Sequence, residues 1–109
     1  MTWTITFYDS KVEREALTLP PGILASFLRI TELVEAFGPD LGRPHTAPIG
    51  HGLFEMRAKG REGIARSVFC TVKNQGIVIL VTVIKKGNKI PKRYMDTARR
   101  RMKEIQGGN

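Results

Sequence analysis

The sequence predicts a single α+β domain: a mostly antiparallel sheet of about four strands, N-terminal helices on one face, and a C-terminal helix. Three observations lead there. A chain of 109 residues, 41% of them hydrophobic, suits one core and is too short for two. Residues 21–37 repeat apolar side chains at three- and four-residue steps, the period of a helix with one buried face. Residues 53–85 hold three β-rich runs divided by short turns, the spacing of an antiparallel meander.

The elements follow in order. Trp3, Ile5 and Phe7 alternate with Thr2, Thr4, Thr6 and Tyr8, which reads as a first strand. Asp9-Ser10 offers a helix N-cap, so Val12 to Leu17 forms a short helix that ends before Pro20-Pro21. Pro21 opens the long helix, whose stripe of Ile23, Leu24, Phe27, Leu28, Ile30, Leu33, Val34 and Phe37 reads as core, and Gly38-Pro39 stops it. Gly38 to Gly52 reads as a loop. Leu53 to Lys59, Ile64 to Lys73 and Ile77 to Lys85 read as strands, joined by Gly60-Arg61-Glu62-Gly63 and by Asn74-Gln75-Gly76. Pro91 reads as the first residue of the last helix, with Tyr94, Ala98, Met102 and Ile105 on one face and most of its cations elsewhere. No internal repeat or linker interrupts the chain, so one domain spans residues 1–109.

Charge is placed unevenly. Residues 1–56 carry four Lys/Arg against seven Asp/Glu, a net of −3, whereas residues 57–109 carry fourteen against three, a net of +11. Such polarity focuses a positive field on one side and favours a polyanion, either nucleic acid or an acidic protein. Cys70 is the single cysteine, so no internal disulfide forms, which fits a reducing cytoplasm. The N-terminus lacks the pattern of a signal peptide. The longest apolar run, Ile77 to Ile84, is a strand's length, and no membrane span is expected.

The same inventory narrows the chemistry. After Glu55 the only acids are Glu62, Asp96 and Glu104, too few for a two-metal nuclease. His45 and His51 lie in a polar loop without metal-ligand spacing, so no metal and no cofactor is expected. There is no phosphate-cradling glycine loop and no catalytic-triad pattern. What remains is a set of cations on the sheet. Alternation puts Leu53, Glu55 and Arg57 on one face, and Arg66 shares a face with Val68, Cys70 and Val72. Clustered cations stabilise a phosphorane-like transition state and favour a neutral, proton-accepting lysine among them. RNA brings its own nucleophile, the 2′-hydroxyl, so such a site cleaves RNA without metal and spares DNA. Arg57 and Arg66 lie in strands beside apolar neighbours, where cations are costly without a purpose. For Lys73, Arg99 and Lys103, solubility is reason enough.

These segments resemble a known family. Gly52-Leu53-Phe54-Glu55-Met56-Arg57 resembles the "GLWELR" segment of phage-derived, HigB-like members of the RelE toxin superfamily. Gly63 to Phe69 is similar to their "GIxRVFY" strand, Val83 to Pro91 to their "FxKKxxKTP" segment, and Leu19-Pro20-Pro21-Gly22 to their "LPxG". In departure from the pattern, Cys70 stands where many relatives carry an aromatic residue, and Ile90 replaces the threonine before Pro91, a lost N-cap. The resemblance implies a RelE-like fold and the toxin of a toxin–antitoxin pair: a metal-independent endoribonuclease (an mRNA interferase) acting on translating ribosomes in the cytoplasm. Its expected partners are mRNA, the ribosome and a cognate antitoxin of the helix-turn-helix type. It implies Arg57, Arg66 and Lys86 as catalytic residues, and Lys59, Lys85, Lys89, Lys92 and Arg93 as RNA-binding ones. Two other functions suit the same scaffold. One is a toxin that poisons DNA gyrase by protein contact, the other a non-catalytic RNA- or ribosome-binding module.

Overall fold

The computed structural model describes residues 2–85 and 89–107. Its elements run β1 (Thr4–Phe7), α1 (Ser10–Leu17), α2 (Pro21–Phe37), β2 (Thr46–Gly50), β3 (Leu53–Gly60), β4 (Gly63–Val72), β5 (Gly76–Lys85) and α3 (Lys92–Gln106). They build one five-stranded sheet of order β1-β5-β4-β3-β2. β1 pairs parallel with β5, and every other pairing is antiparallel. The expected α+β architecture is therefore present, with one strand more than the sequence reading gave.

That strand, β2, lies inside the segment expected to be loop. Pro48 hides it, because proline cannot donate to a sheet ladder and is tolerated only where one side of a strand is free. β2 is such an edge, and its register against β3 shifts between Pro48 and Gly50.

Local chemistry sets the helix ends. Asp9 caps α1 by accepting from the Val12 amide at 2.9 Å. α2 starts after Pro20, which has no side-chain acceptor to offer. Its free amides are met instead from the β3–β4 turn, where the Glu62 carboxylate accepts from Gly22 at 3.0 Å and Ile23 at 3.2 Å. These donated hydrogen bonds hold the Glu62 carboxyl below its ordinary value. Gly60 permits the approach, since a Cβ there would lie 2.5 Å from the Ile23 nitrogen. For α3 the N-cap is Pro91 rather than residue 90, and the helix begins at Lys92. Ile90, just before it, packs against the cluster under α3, so replacing threonine there adds apolar contact and removes no cap.

The two faces of the sheet are covered differently. On one, Ile23, Phe27, Ile30 and Val34 of α2 and Val12 and Ala16 of α1 meet Met56, Ala58, Phe69, Ile77 and Ile79. Phe54 and Phe69 stack there with centroids 5.4 Å apart. On the other, Ala98, Met95, Met102 and Ile105 of α3 lie over Leu53, Val68, Cys70 and Leu80. Burial pushes the Cys70 thiol up to about 11, which keeps it from acting as a thiolate. α3 is fastened by Arg101, which donates to the Leu80 carbonyl at 2.6 Å while lying over the Tyr8 ring. The Tyr8 hydroxyl donates to the Glu104 carboxylate. The helix packs on β4 and β5 more than on β3.

Candidate functional site

Register decides which cations meet. In the β3–β4 ladder Arg57 stands directly opposite Arg66, and Glu55 opposite Val68. Directly opposed residues hold their Cβ atoms about 5 Å apart, so two guanidinium groups start from neighbouring positions on one face. Arg66 is 5% exposed and Glu55 7%. The Arg66 Nη1 donates to Glu55 Oε1 at 3.2 Å, across the diagonal of the ladder. A buried cation in this position needs its counter-charge, because removing either partner of a buried pair costs roughly 3–5 kcal/mol.

Arg66 and Glu55 form the floor of a cleft of about 320 Å³, walled by Ile49 of β2, by Lys89 and Ile90, and by Met95 of α3. Arg57 opens into a different recess of about 430 Å³ beyond the end of β2. That recess is lined by Arg57, Lys59, Ser26, Arg29, Pro44 and His45, over Ile30 and Ile64. The sequence reading placed Arg57 and Arg66 in one constellation. They are indeed neighbours in the ladder, yet they serve two adjoining recesses.

The remaining predicted residues divide. Lys89 lines the Glu55–Arg66 cleft and Lys59 the Arg57 recess, both exposed. Lys92 bonds to Asp96 at 2.9 Å one helical turn on, and Arg93 lies over the Tyr94 ring at 4.7 Å. Neither is among the described residues lining these two recesses, although both stand at the exposed start of α3. Lys85 ends β5 opposite Ile64, and its side chain, like the whole of Lys86, lies outside the described residues. Tyr94 packs within the α3 cluster, as its helical phase predicts.

Glu55 is the residue that sequence reasoning passed over as a site member. Its phase with Arg57 was legible, but its bond to Arg66 needs the β3–β4 register. Arg29, which lies between the apolar positions of α2, and His45 of the polar loop also line a recess, and neither carries a local signal of it. Among the described residues no three His, Cys, Asp or Glu side chains converge as a metal site, and no single helix is long and apolar enough to cross a membrane.

Comparisons with known proteins bear on the family and the fold. The family model "Phage derived protein Gp49-like (DUF891)" matches residues 14–103. No curated protein matches the chain. Among solved structures, a chain in the crystal structure of the archaeal RelE-RelB complex from Pyrococcus horikoshii OT3 is similar, at 20% identity and a TM-score of 0.58. The match covers 81% of this chain and 100% of that one, and at this identity it shows the fold, which is RelE-like.

Proposed function

The chain belongs to the Gp49-like family of phage-derived proteins, and we propose that it is the toxin of a toxin–antitoxin pair. Its activity on this reading is metal-independent cleavage of mRNA, on translating ribosomes, in the cytoplasm. The observation that carries the reading is the opposed pair Arg57 and Arg66, set between two cation-lined recesses, with Glu55 holding Arg66. The solved complex of RelE with RelB supports an antitoxin as a partner, and the helix-turn-helix type expected from the sequence belongs to the same proposal.

The chemistry needs only what the chain and RNA supply. The 2′-oxygen bonds to the adjacent phosphorus as its proton leaves, the bond from phosphorus to the 5′-oxygen breaks, and that oxygen takes a proton. The products are a 2′,3′-cyclic phosphate and a 5′-hydroxyl. Arg57 and Arg66 meet the charge that grows on the phosphoryl oxygens, and a guanidinium fork suits two oxygens at once. Glu55 keeps the Arg66 guanidinium fixed before substrate arrives, which limits the reorganisation needed at the moment of reaction. Lys86, with Lys85 as the alternative, is assigned the proton transfer. Lys59, Lys85, Lys89, Lys92 and Arg93 bind the backbone on either side.

Induced expression in a bacterial host tests this, with growth followed and mRNA 5′ ends mapped beside Arg57→Ala and Lys89→Gln variants. Both variants leave the buried ion pair intact, and circular dichroism verifies their folding. The expected result is growth arrest with new 5′ ends inside coding regions, both lost in Arg57→Ala. Arrest with intact mRNA overturns the reading and points to a protein target such as gyrase. Good soluble expression without arrest leaves a non-catalytic RNA-binding module.

A further inference from the structure

The recess beyond the end of β2 has no part in the bond-breaking steps above except through Arg57. It is bounded by α2, the segment before β2, and the free edge of β3. Three cations, Arg29, Arg57 and Lys59, converge on it together with His45 and the Ser26 hydroxyl, and no carboxylate is among the described residues that line it. The neighbouring cleft is different, since Glu55 there offsets part of the charge of Arg66 and Lys89. Among the described residues, none of Arg29, Arg57 and Lys59 pairs with a carboxylate. Ile30 and Ile64 give the recess an apolar floor. Cations around an apolar floor fit a phosphate with its ribose or base laid against it, in a space within the range of ordinary ligand pockets.

We propose that this recess is a second phosphate-binding subsite, in which Arg29 and Lys59 hold the RNA strand one step along from the phosphate being cut. The proposal rests on the reading of the protein as an RNA-cleaving toxin. Arg57 supplies the continuity: it lines this recess and stands opposite Arg66, which floors the other. A strand seated on Arg66 therefore reaches the recess by crossing one ladder position. An acidic segment of a protein partner would satisfy the cations but has no comparable reason to continue into the Glu55–Arg66 cleft, where a carboxylate already sits.

The test uses the full chain and a short single-stranded RNA carrying a 2′-deoxy linkage at the mapped cut, so that binding is read without turnover. Affinity is measured by fluorescence anisotropy across a salt series for the parent, Arg29→Gln and Lys73→Gln. Lys73, in the β4–β5 turn, lines neither recess and controls for net charge. Arg29→Gln is expected to weaken binding about tenfold, the loss of one charge-assisted bond. It should also reduce the slope of log affinity against log salt by about 0.7, one phosphate contact on a single strand. Lys73→Gln should leave both near the parent values. If Arg29→Gln behaves like Lys73→Gln while the parent binds and cuts RNA, the subsite is wrong and the cleavage reading stands; loss of antitoxin binding instead would reassign the recess to that partner. A parent that binds no RNA removes both. Should Arg29→Gln misfold, Lys59→Gln and Arg29→Lys in the same assay decide, with a drop in salt slope required of the first and near-parent charge dependence of the second.

Discussion

The two faces of the sheet show how a small domain divides its labour. The face under α1 and α2 is apolar throughout its centre, and Ile23, Phe27, Ile30 and Val34 are buried against strand residues of matching character. The face under α3 is covered over β4 and β5 but carries a buried Glu55–Arg66 pair where α3 leaves off. Apolar burial is the cheaper way to hold a sheet, because a buried ion pair roughly breaks even against hydrophobic side chains of the same size. An ion pair kept at the floor of a cleft, in a domain with a sound core on its other face, is accounted for by the proposed RNA site rather than by stability. On the proposed reading, stability resides under α2 and chemistry beside α3.

The comparison makes quantitative demands. The largest effect should fall on the apolar face. Phe27→Ala is expected to cost about 4 kcal/mol, the usual loss for an aromatic ring removed from a core, read as a fall in the denaturant midpoint. Next comes the ion pair. Glu55→Gln should cost about 3 kcal/mol by removing the counter-charge of a buried guanidinium, whereas the double variant Glu55→Met, Arg66→Met should recover most of that loss. A double variant less stable than the single one would contradict the view that the pair is held for function. Gly60→Ala should cost about 2 kcal/mol, because the new methyl meets the Ile23 backbone at 2.5 Å and must push α2 away.

The smallest effect concerns pH. The Glu62 carboxyl is held below its ordinary value of 4.5 by the Gly22 and Ile23 amides, so its contribution is present above that pH and fades as pH falls through the lowered value. Glu62→Gln should therefore lower the midpoint slightly at neutral pH and flatten its decline below pH 4.5. An acid limb identical to the parent's would show that the cap does not hold the start of α2.

What the sequence revealed follows from range. The long helix and the meander were legible because their signals are local: the apolar period of residues 21–37, the turns at Gly60–Gly63 and Asn74–Gly76. β2 was not, because Pro48 breaks a strand pattern that only an edge position can tolerate. The site was half legible. Alternation aligned Glu55 with Arg57 and singled out Arg66, but the diagonal contact of Glu55 with Arg66 depends on a register that no local pattern encodes. Glu62 capping a helix forty residues earlier belongs to the same class. The cations of α3 looked alike in sequence. Packing alone separates Arg101, which is turned inward to the Leu80 carbonyl, from Arg99 and Arg100, which stay exposed.

The central claim is that the cleft cuts RNA through the substrate's own 2′-hydroxyl. Its most direct test is to present purified protein with a translating-ribosome complex whose mRNA carries a single 2′-deoxy nucleotide immediately 5′ of the mapped cut. The account predicts that the normal message yields a 2′,3′-cyclic phosphate and a 5′-hydroxyl, and that the substituted message stays intact at that position. Cleavage at the deoxy position, or a product ending in a 5′-phosphate, would contradict it.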